Sequence, residues 1–131
     1  QQAGYLRGLQ SGAAGLIVAA VVDGEIAGLA SIRRTPRSRI RHVGELGVSV
    51  RMRYWGAGVA QPLCQYVFGE AVAIGVTKIE LRVRQDNLRA IKLYRKLGFE
   101  IEGSPRLAFF AGGRFYDEYF MGKVVSQRSV S

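Results

Sequence analysis

The fold is decided by one junction, residues 53–60, which reads RYWGAGVA. An apolar, strand-like run, ELGVSV, comes before it, and a helix-like run, QPLCQYVFGEAVAIG, comes after it. Glycines at a strand-to-helix turn let the backbone come close to a ligand. The first amides of a helix lack partners within the helix, and the helix dipole is positive there. The junction therefore predicts a site for an anion such as a pyrophosphate, with Arg53 beside it.

The chain before the junction predicts an antiparallel hairpin. Residues 16–22 and 25–34 are apolar and strand-like, and Asp23-Gly24 between them is a typical two-residue hairpin turn. Residues 1–15 carry a weaker pattern, which we interpret as the end of an earlier helix.

A third strand and a crossover helix are predicted around the junction. Residues 42–50 place apolar side chains on one face at a period of two. A helix follows over residues 57–74, with Pro62 near its first turn, where a missing amide donor costs least. Residues 78–84 alternate as a strand, and a helix between two strands sets them parallel. The apolar stripe predicted for this helix consists of Val59, Leu63, Tyr66, Val67, Ala71 and Ile74.

The second half of the chain predicts one more helix and two more strands. A helix over residues 87–97 begins at Asn87, a good capping residue, and ends before Gly98. Strands follow over residues 99–102 and, after a Gly-Gly turn, over residues 114–125. The predicted fold is a mixed α/β (α+β) sheet, mainly antiparallel, with one central parallel βαβ crossover and flanking helices. The face of the second helix that we expect to be buried carries Ala90, Ile91, Tyr94 and Leu97.

The length and composition indicate a single domain, and the cysteine content indicates a reducing compartment. The 131 residues are 48% hydrophobic, which argues against disorder and allows a core of useful size. The single cysteine, Cys64, cannot form an internal disulfide and favours a cytoplasmic location. Its mid-helix position indicates a small core residue rather than a nucleophile. No apolar run is long enough for a membrane span, no signal peptide is recognised, and the chain begins with Gln1.

The net charge of +9, carried by 15 arginines and four lysines against ten acids, predicts an anionic partner. Nucleic acid, a membrane surface and a phosphate-rich cofactor all fit that charge. A nucleic-acid-binding domain would use Tyr54 and Trp55 as stacking residues beside the arginines. Glu45 is the single acid among seven arginines: Arg33, Arg34, Arg37, Arg39, Arg41, Arg51 and Arg53.

Two motifs carry a resemblance to a known family. The junction lacks the Gly-Lys-Ser/Thr of a Walker loop and the third glycine of a dinucleotide fingerprint. Arg53, Gly56 and Gly58 instead resemble the acyl-CoA loop of the GNAT superfamily of N-acetyltransferases, Arg/Gln-x-x-Gly-x-Gly/Ala. The stretch VRQDNLRAIKLYRKLGFEIEG, residues 83–103, is similar to the motif that follows in that family, and RFYDEYFMGK is similar to its final strand. The matching residues of the second motif are Asn87, Ala90, Tyr94, Lys96, Gly98 and Phe99.

The resemblance, which covers residues 16–123, implies an enzyme. Such a single acyl-CoA N-acyltransferase domain, here 1–131, would move an acetyl group from acetyl-CoA to a primary amine of a small molecule or an amino acid. The strand and helices that usually open the family's fold are expected to be missing or shortened. The resemblance also implies a homodimer paired through C-terminal strands. It implies no metal and no membrane, and it disfavours nucleic acid as a partner, although a nucleic-acid-binding domain stays open as an alternative. A sensor that binds acyl-CoA without turnover is the other alternative.

The resemblance assigns roles to particular residues. Tyr94 is the candidate acid for the leaving thiolate, and a phenol is protonated at neutral pH. Glu45 is the candidate base, acting directly or through water, although a structural ion pair with a neighbouring arginine explains it equally well. His42 is the alternative base. Acetyl-CoA would be held by the backbone of Val48 and Val50, the phosphate loop at Gly56, Ala57, Gly58, Val59 and Ala60, and the side chains of Arg53 and Asn87.

Overall fold

One sheet organises the chain, and the computed structural model describes it over residues 4–12, 14–34 and 42–126. A short 3₁₀ turn at Met52–Tyr54 links the sheet to the first helix. The strands are β1 (Gly4–Gly12), β2 (Gly15–Val22), β3 (Glu25–Arg34), β4 (Val43–Val50), β5 (Lys78–Arg84), β6 (Glu100–Gly103), β7 (Phe109–Ala111), β8 (Arg114–Tyr116) and β9 (Glu118–Val124); the helices are α1 (Ala60–Ala73) and α2 (Leu88–Lys96).

The strand order confirms the predicted mixed sheet. Across the described residues, seven strands run in the order β1-β2-β3-β4-β5-β9-β6, and β7 and β8 form a separate hairpin. The pair β4–β5 is parallel and the other neighbouring pairs are antiparallel. The crossover through α1 therefore places two parallel strands at the centre of an otherwise antiparallel sheet, as the sequence predicts.

The prediction of a helix end in residues 1–15 is wrong. Residues 4–12 form β1, which pairs antiparallel with β2 from Gly4–Val22 to Gly12–Gly15. The segment holds three glycines, and each costs a helix about 1 kcal/mol relative to alanine. The backbone of β2 offers hydrogen bonds along its whole edge, so pairing with it replaces the helix.

Two predicted boundaries also change. The first helix begins at Ala60 rather than at residue 57, because Gly56 and Gly58 have φ values of +78° and +76° and hold the chain in a turn. The predicted last strand, residues 114–125, is divided at Asp117 into β8 and β9. Its first part pairs with β7 across a glycine turn, and its second part enters the main sheet between β5 and β6.

The core lies between α1, α2 and one face of the sheet. Leu63, Val67 and Ala71 of the predicted stripe are fully buried, and burying a leucine contributes about 1.5–3 kcal/mol. Tyr66 was predicted to be part of that stripe, but it is 40% exposed. The buried arc is centred further round the helix, and Phe68 lies within it against Phe99.

The ends of α2 follow the predicted local signals. The side chain of Asn87 accepts a hydrogen bond from the Ala90 amide at 3.2 Å, which caps the helix. Gly98 has a φ of +96° just after the last turn, a conformation that glycine adopts without strain. Ile91 and Leu97 are buried on the expected face. Local sequence signals therefore fix the residues at which α2 begins and ends.

Cys64 is a core residue, as predicted, and its thiol is fully buried in α1. Burial raises the pKa of the Cys64 thiol from 9.0 to about 11, because the thiolate would lose its hydration. The folded pKa lies above the unfolded one, so the stabilisation is complete below pH 9. It is lost as the pH rises through the folded pKa.

We expect Cys64→Ala to reduce the dependence of stability on alkaline pH. In the wild type, the thiol accounts for a fall of about 2 kcal/mol in the free energy of unfolding between pH 9 and pH 11. The variant lacks this contribution, so its stability relative to the wild type should improve over that range. Urea titrations at pH 8, 9, 10 and 11 measure the difference, and parallel stability curves would contradict the prediction.

Candidate functional site

A gap in the sheet between β4 and β5 defines the site. The two strands pair over three positions only, the last of which sets Glu45 opposite Glu80. On its other side, β4 continues to pair with β3 as far as Val50, opposite Gly28. Beyond Glu45, β4 therefore presents an open edge toward β5 within the described residues.

Backbone groups of Val48 and Val50 point into this gap. In an antiparallel pair, alternate residues exchange hydrogen bonds, and the residues between them direct their amide and carbonyl groups to the opposite side. The Arg51 amide donates to the Ala27 carbonyl at 2.8 Å, so the odd-numbered residues of β4 bond to β3. The indole N–H of Trp55 donates to the Val50 carbonyl at 2.9 Å, from the side of the gap. An extended ligand in the gap would therefore meet the Val48 amide and carbonyl and the Val50 amide.

An open cavity of about 700 Å³ lies where the gap meets the helices. Its walls come from the end of β4, the turn after it, the first turn of α1 and one side of α2. The cavity brings together eight of the eleven residues predicted for catalysis or cofactor binding: Val48, Val50, Gly56, Gly58, Val59, Ala60, Asn87 and Tyr94.

The start of α1 is suited to an anion. Its first turn has no acidic residue, and its N-cap, Val59, supplies no side-chain hydrogen bond to the helix amides. A Cβ atom added at Gly56 or Gly58 would meet nothing within 4 Å, so the turn is open to the cavity. The positive end of the helix dipole and the first amides of α1 are therefore offered to a ligand.

Arg53 is placed differently from the prediction. Its guanidinium pairs with Glu25 at 3.0 Å and lies over the ring of Tyr54 at 5.1 Å. The hydrogen bond to Tyr54 and the charge of Glu25 raise the pKa of Arg53. The side chain does not line the cavity, and neither does Ala57. In this structure Arg53 ties the turn to the β2–β3 hairpin.

The basic residues that line the cavity come from α2 instead. Arg89, Lys92 and Lys96 lie at spacings of three and four residues, which places them on one side of the helix. Arg89 also stacks on the ring of Trp55, with its guanidinium carbon 3.9 Å from the ring centroid. The helical spacing of these three cations was readable from the sequence, but the sequence does not say that this side of α2 faces the glycine turn.

Tyr94 projects from α2 into the cavity and is partly buried. Its ring packs edge-to-face on Phe99, with centroids 5.8 Å apart. Burial, with a smaller effect from the nearby Cys64, raises the pKa of Tyr94 to about 12. The phenol therefore keeps its proton throughout the neutral range and is available as a hydrogen-bond donor.

Glu45 lies outside this cavity, on the other face of the sheet. Leu46 packs in the core beneath the helices, so the alternation of β4 turns Glu45 away from them. Glu45 forms a short ion pair with Arg33, and both side chains are substantially exposed. His42 is exposed at the start of β4, where its carbonyl accepts hydrogen bonds from the Thr77 and Lys78 amides.

The aromatic pair invoked for nucleic-acid binding does not form a stacking surface. Tyr54 is only 4% exposed, and one face of Trp55 is covered by Arg89. Three of the arginines in the basic stretch, Arg37, Arg39 and Arg41, lie outside the described residues. The burial of Tyr54 and the contact of Trp55 with Arg89 therefore weaken the nucleic-acid-binding alternative.

The described residues contain neither a metal site nor a membrane-spanning helix. No group of three or more His, Cys, Asp or Glu side chains there is arranged to hold a metal ion. Neither helix in the part of the chain that the structure describes has the length and apolar character needed to cross a membrane.

A split parallel pair beside a glycine turn and an uncapped helix defines an acyltransferase fold of the GNAT type. The profile of the acetyltransferase (GNAT) family matches residues 2–99, and the chain belongs to this family. An acetyltransferase of the family from Streptococcus pneumoniae superposes with a TM-score of 0.83 at 33% identity, over 88% of this chain and 70% of the other. An acetyltransferase from Salmonella typhimurium, solved with acetyl-CoA, superposes with a TM-score of 0.84 at 21% identity, over 90% and 69%, and at that identity shows the fold alone.

Relatives of known activity come from Escherichia coli K12. The L-amino acid N-acetyltransferase AaaT is 37% identical over 106 residues, which are 80% of this chain and 65% of that enzyme. The spermidine N(1)-acetyltransferase is 32% identical over 97 residues, which are 71% of this chain and 50% of that enzyme. The chain thus spans about half to two thirds of the length of these curated relatives.

Proposed function

We propose that this chain is an N-acetyltransferase that transfers an acetyl group from acetyl-CoA to a primary amine of a small molecule or an amino acid. The observation that carries the proposal is the open edge of β4 facing the uncapped start of α1 across one cavity. Family membership and relatives that act on amino acids or spermidine support it. The reaction belongs to a single acyl-CoA N-acyltransferase domain over 1–131, and the buried, unpaired Cys64 suits the cytoplasm.

Acetyl-CoA would be held at two places along the cavity. Its pyrophosphate fits the amides between Gly56 and Ala60, where the helix dipole and the α2 cations stabilise negative charge. The pantetheine arm fits the gap, where its amides can bond to Val48 and Val50 as an added strand does. Asn87 lines the same cavity and is available to the arm through its amide nitrogen, since its oxygen already caps α2.

The reaction requires a hydrogen-bond donor to the thioester oxygen, an acid that protonates the leaving thiolate and a base that removes a proton from the amine. A backbone amide of β4 at the gap can donate to the oxygen as charge develops on it. Tyr94, with its proton on Oη, is placed in the cavity to protonate the leaving thiolate. Holding the two reactants in position lowers the activation barrier further, by up to about 7–11 kcal/mol in ideal cases.

Glu45 is the proposed base. It stands at the last paired position before the gap, so it lies where a water or an amine could reach the open edge from the second face. Its ion pair with Arg33 is the competing, purely structural explanation. His42 stays the alternative base, three residues earlier on the chain. Glu45→Gln separates these cases, because loss of turnover with unchanged stability supports a base.

Binding of CoA is expected to fail in Gly58→Glu. The new side chain would bring negative charge into the phosphate site, and calorimetry should show affinity for CoA reduced by at least about 100-fold. Gly113→Glu is the matched control, because Gly113 has almost the same φ (+77°) and open surroundings but lies in the β7–β8 turn. The proposal would be refuted by a wild-type protein that does not bind CoA.

Turnover is expected to fall about 10²–10⁴-fold in Tyr94→Phe, the usual range for a positioned acid. Affinity for acetyl-CoA should change little, because the ring still packs on Phe99. Stability should stay within about 1 kcal/mol. With the pKa of Tyr94 raised to about 12, we expect no loss of activity from its ionisation below about pH 11.

The assay for this variant is release of free thiol with an acceptor found by screening amines. Tyr66→Phe is a suitable control, since Tyr66 is 40% exposed on α1 and lines no part of the cavity. Equal turnover numbers in Tyr94→Phe and the wild type, with chemistry rate-limiting, would exclude Tyr94 as the acid. Tight CoA binding without turnover of any amine would instead favour a sensor.

We propose that the chain is a homodimer, paired through its C-terminal hairpin. Phe110 and Phe115 on β7 and β8 are 60% and 58% exposed, and their tilted rings pack against each other with centroids 4.8 Å apart. Exposed aromatic side chains of this kind are enriched in protein–protein interfaces. Light scattering should give a dimer that Phe110→Lys converts to monomer. Leu9→Lys, at 44% exposure on the edge strand β1 of the main sheet, should have no effect. A wild-type monomer at micromolar concentration would overturn the proposal.

A further inference from the structure

A second, smaller cavity lies on the face of the sheet opposite the helices. It has a volume of about 130 Å³, and its lining includes two basic and two acidic side chains together with Phe120. Glu45 and Glu80, its acidic residues, are the last partners in the β4–β5 ladder. Arg82 follows two residues later on β5, where the strands have already diverged. The cavity therefore stands at the mouth of the gap, on the side away from the proposed acetyl-CoA site.

The two arginines that line this cavity differ in their ion-pair partners. Arg33 forms a short ion pair with Glu45. Arg82 has only a long contact with Glu118, at 3.8 Å, and its side chain is 55% exposed. Its guanidinium lies over the ring of Phe120 at 5.6 Å, which holds it against the sheet. Arg82 is therefore the basic residue of this cavity that is not paired with one of the cavity's own acids.

The spacing of the charges fits a small zwitterion. Glu80 and Arg82 are on the same face of β5, and side chains two residues apart on a strand are separated by about 6.6 Å. A free α-amino acid carries its amine and its carboxylate on one carbon, so it can meet an acidic group and an arginine at that separation. Guanidinium groups bind carboxylates through two parallel hydrogen bonds, which also fixes the orientation of the acid.

We propose that Arg82 binds the α-carboxylate of a free α-amino acid and so selects it as the acceptor. The amine then faces Glu45 and Glu80 at the mouth of the gap, toward the open edge of β4. This inference rests on the proposed function and names its substrate class. A polyamine fits less well, because it offers no group to Arg82 and is repelled by the net charge of +9.

The test compares each amino acid with its own amide. A free-thiol assay is run with the twenty L-amino acids, and the best of them is compared with its carboxamide, which keeps the side chain and amine. We expect the wild type to prefer the acid by about 10- to 100-fold in kcat/KM, the usual value of a hydrogen-bonded charge. In Arg82→Gln, kcat/KM should fall by a similar factor for the acid and by less than about threefold for the amide.

Arg84→Gln is the matched control. Arg84 is on the same strand and face, pairs with Asp86 at 2.7 Å and does not line the small cavity, so its loss should leave the preference for the acid unchanged. Arg82→Lys should restore part of that preference.

Three results would overturn the inference. The first is equal use of acid and amide by the wild type, which needs no variant to be folded. The second is an equal loss for acid and amide in Arg82→Gln, which would mean a structural role. The third is turnover of spermidine or other simple amines without turnover of amino acids, which leaves the acetyltransferase proposal intact. Absence of CoA binding and of turnover with every amine would overturn both.

Discussion

The divergence of β4 and β5 after three paired positions is the constraint on which the rest of the structure depends. Backbone amide and carbonyl groups in a sheet need partners, and a strand that loses its neighbour leaves a row of them open. On its β3 side, β4 is paired through Val50, and this pairing holds its free edge in place. The gap is thus a slot with hydrogen-bonding groups along one wall. Both the large cavity and the small polar one lie beside this slot.

The cavities on the two faces of the sheet differ in charge. On the helix face, the uncapped start of α1 meets Arg89, Lys92 and Lys96, and none of the acidic residues of the described chain lines that cavity. Such a surface suits a polyanion. On the other face, arginines and glutamates alternate at the mouth of the gap, which suits a molecule that carries both signs. The proposed reaction between two such ligands would require them to meet through the sheet, and the gap beyond Glu45 and Glu80 is the place where its strands part.

Local signals in the sequence were reliable where the structure is governed by neighbours along the chain. The Asp23-Gly24 turn, the Asn87 cap and the Gly98 stop are all present, since each depends on backbone conformation within a few residues. The same logic failed at β1, where three glycines were a readable argument against a helix. It also failed at Asp117, where the predicted last strand is divided: its first part, β8, pairs with β7, and its second part, β9, pairs with β5.

The sequence by itself determined the order of the elements from β2 to β6, the parallel crossover, the position of the glycine turn and the family resemblance, because periodicity, caps and glycine conformations are local properties. Only the tertiary structure decided which charges share a site. Arg53 adjoins the glycines in sequence yet pairs with Glu25 on the neighbouring hairpin, while Arg89, Lys92 and Lys96 reach the cavity from a distant helix. Long side chains choose partners by proximity in space, and that proximity is set by how strands β4 and β5 part and how α2 packs against them.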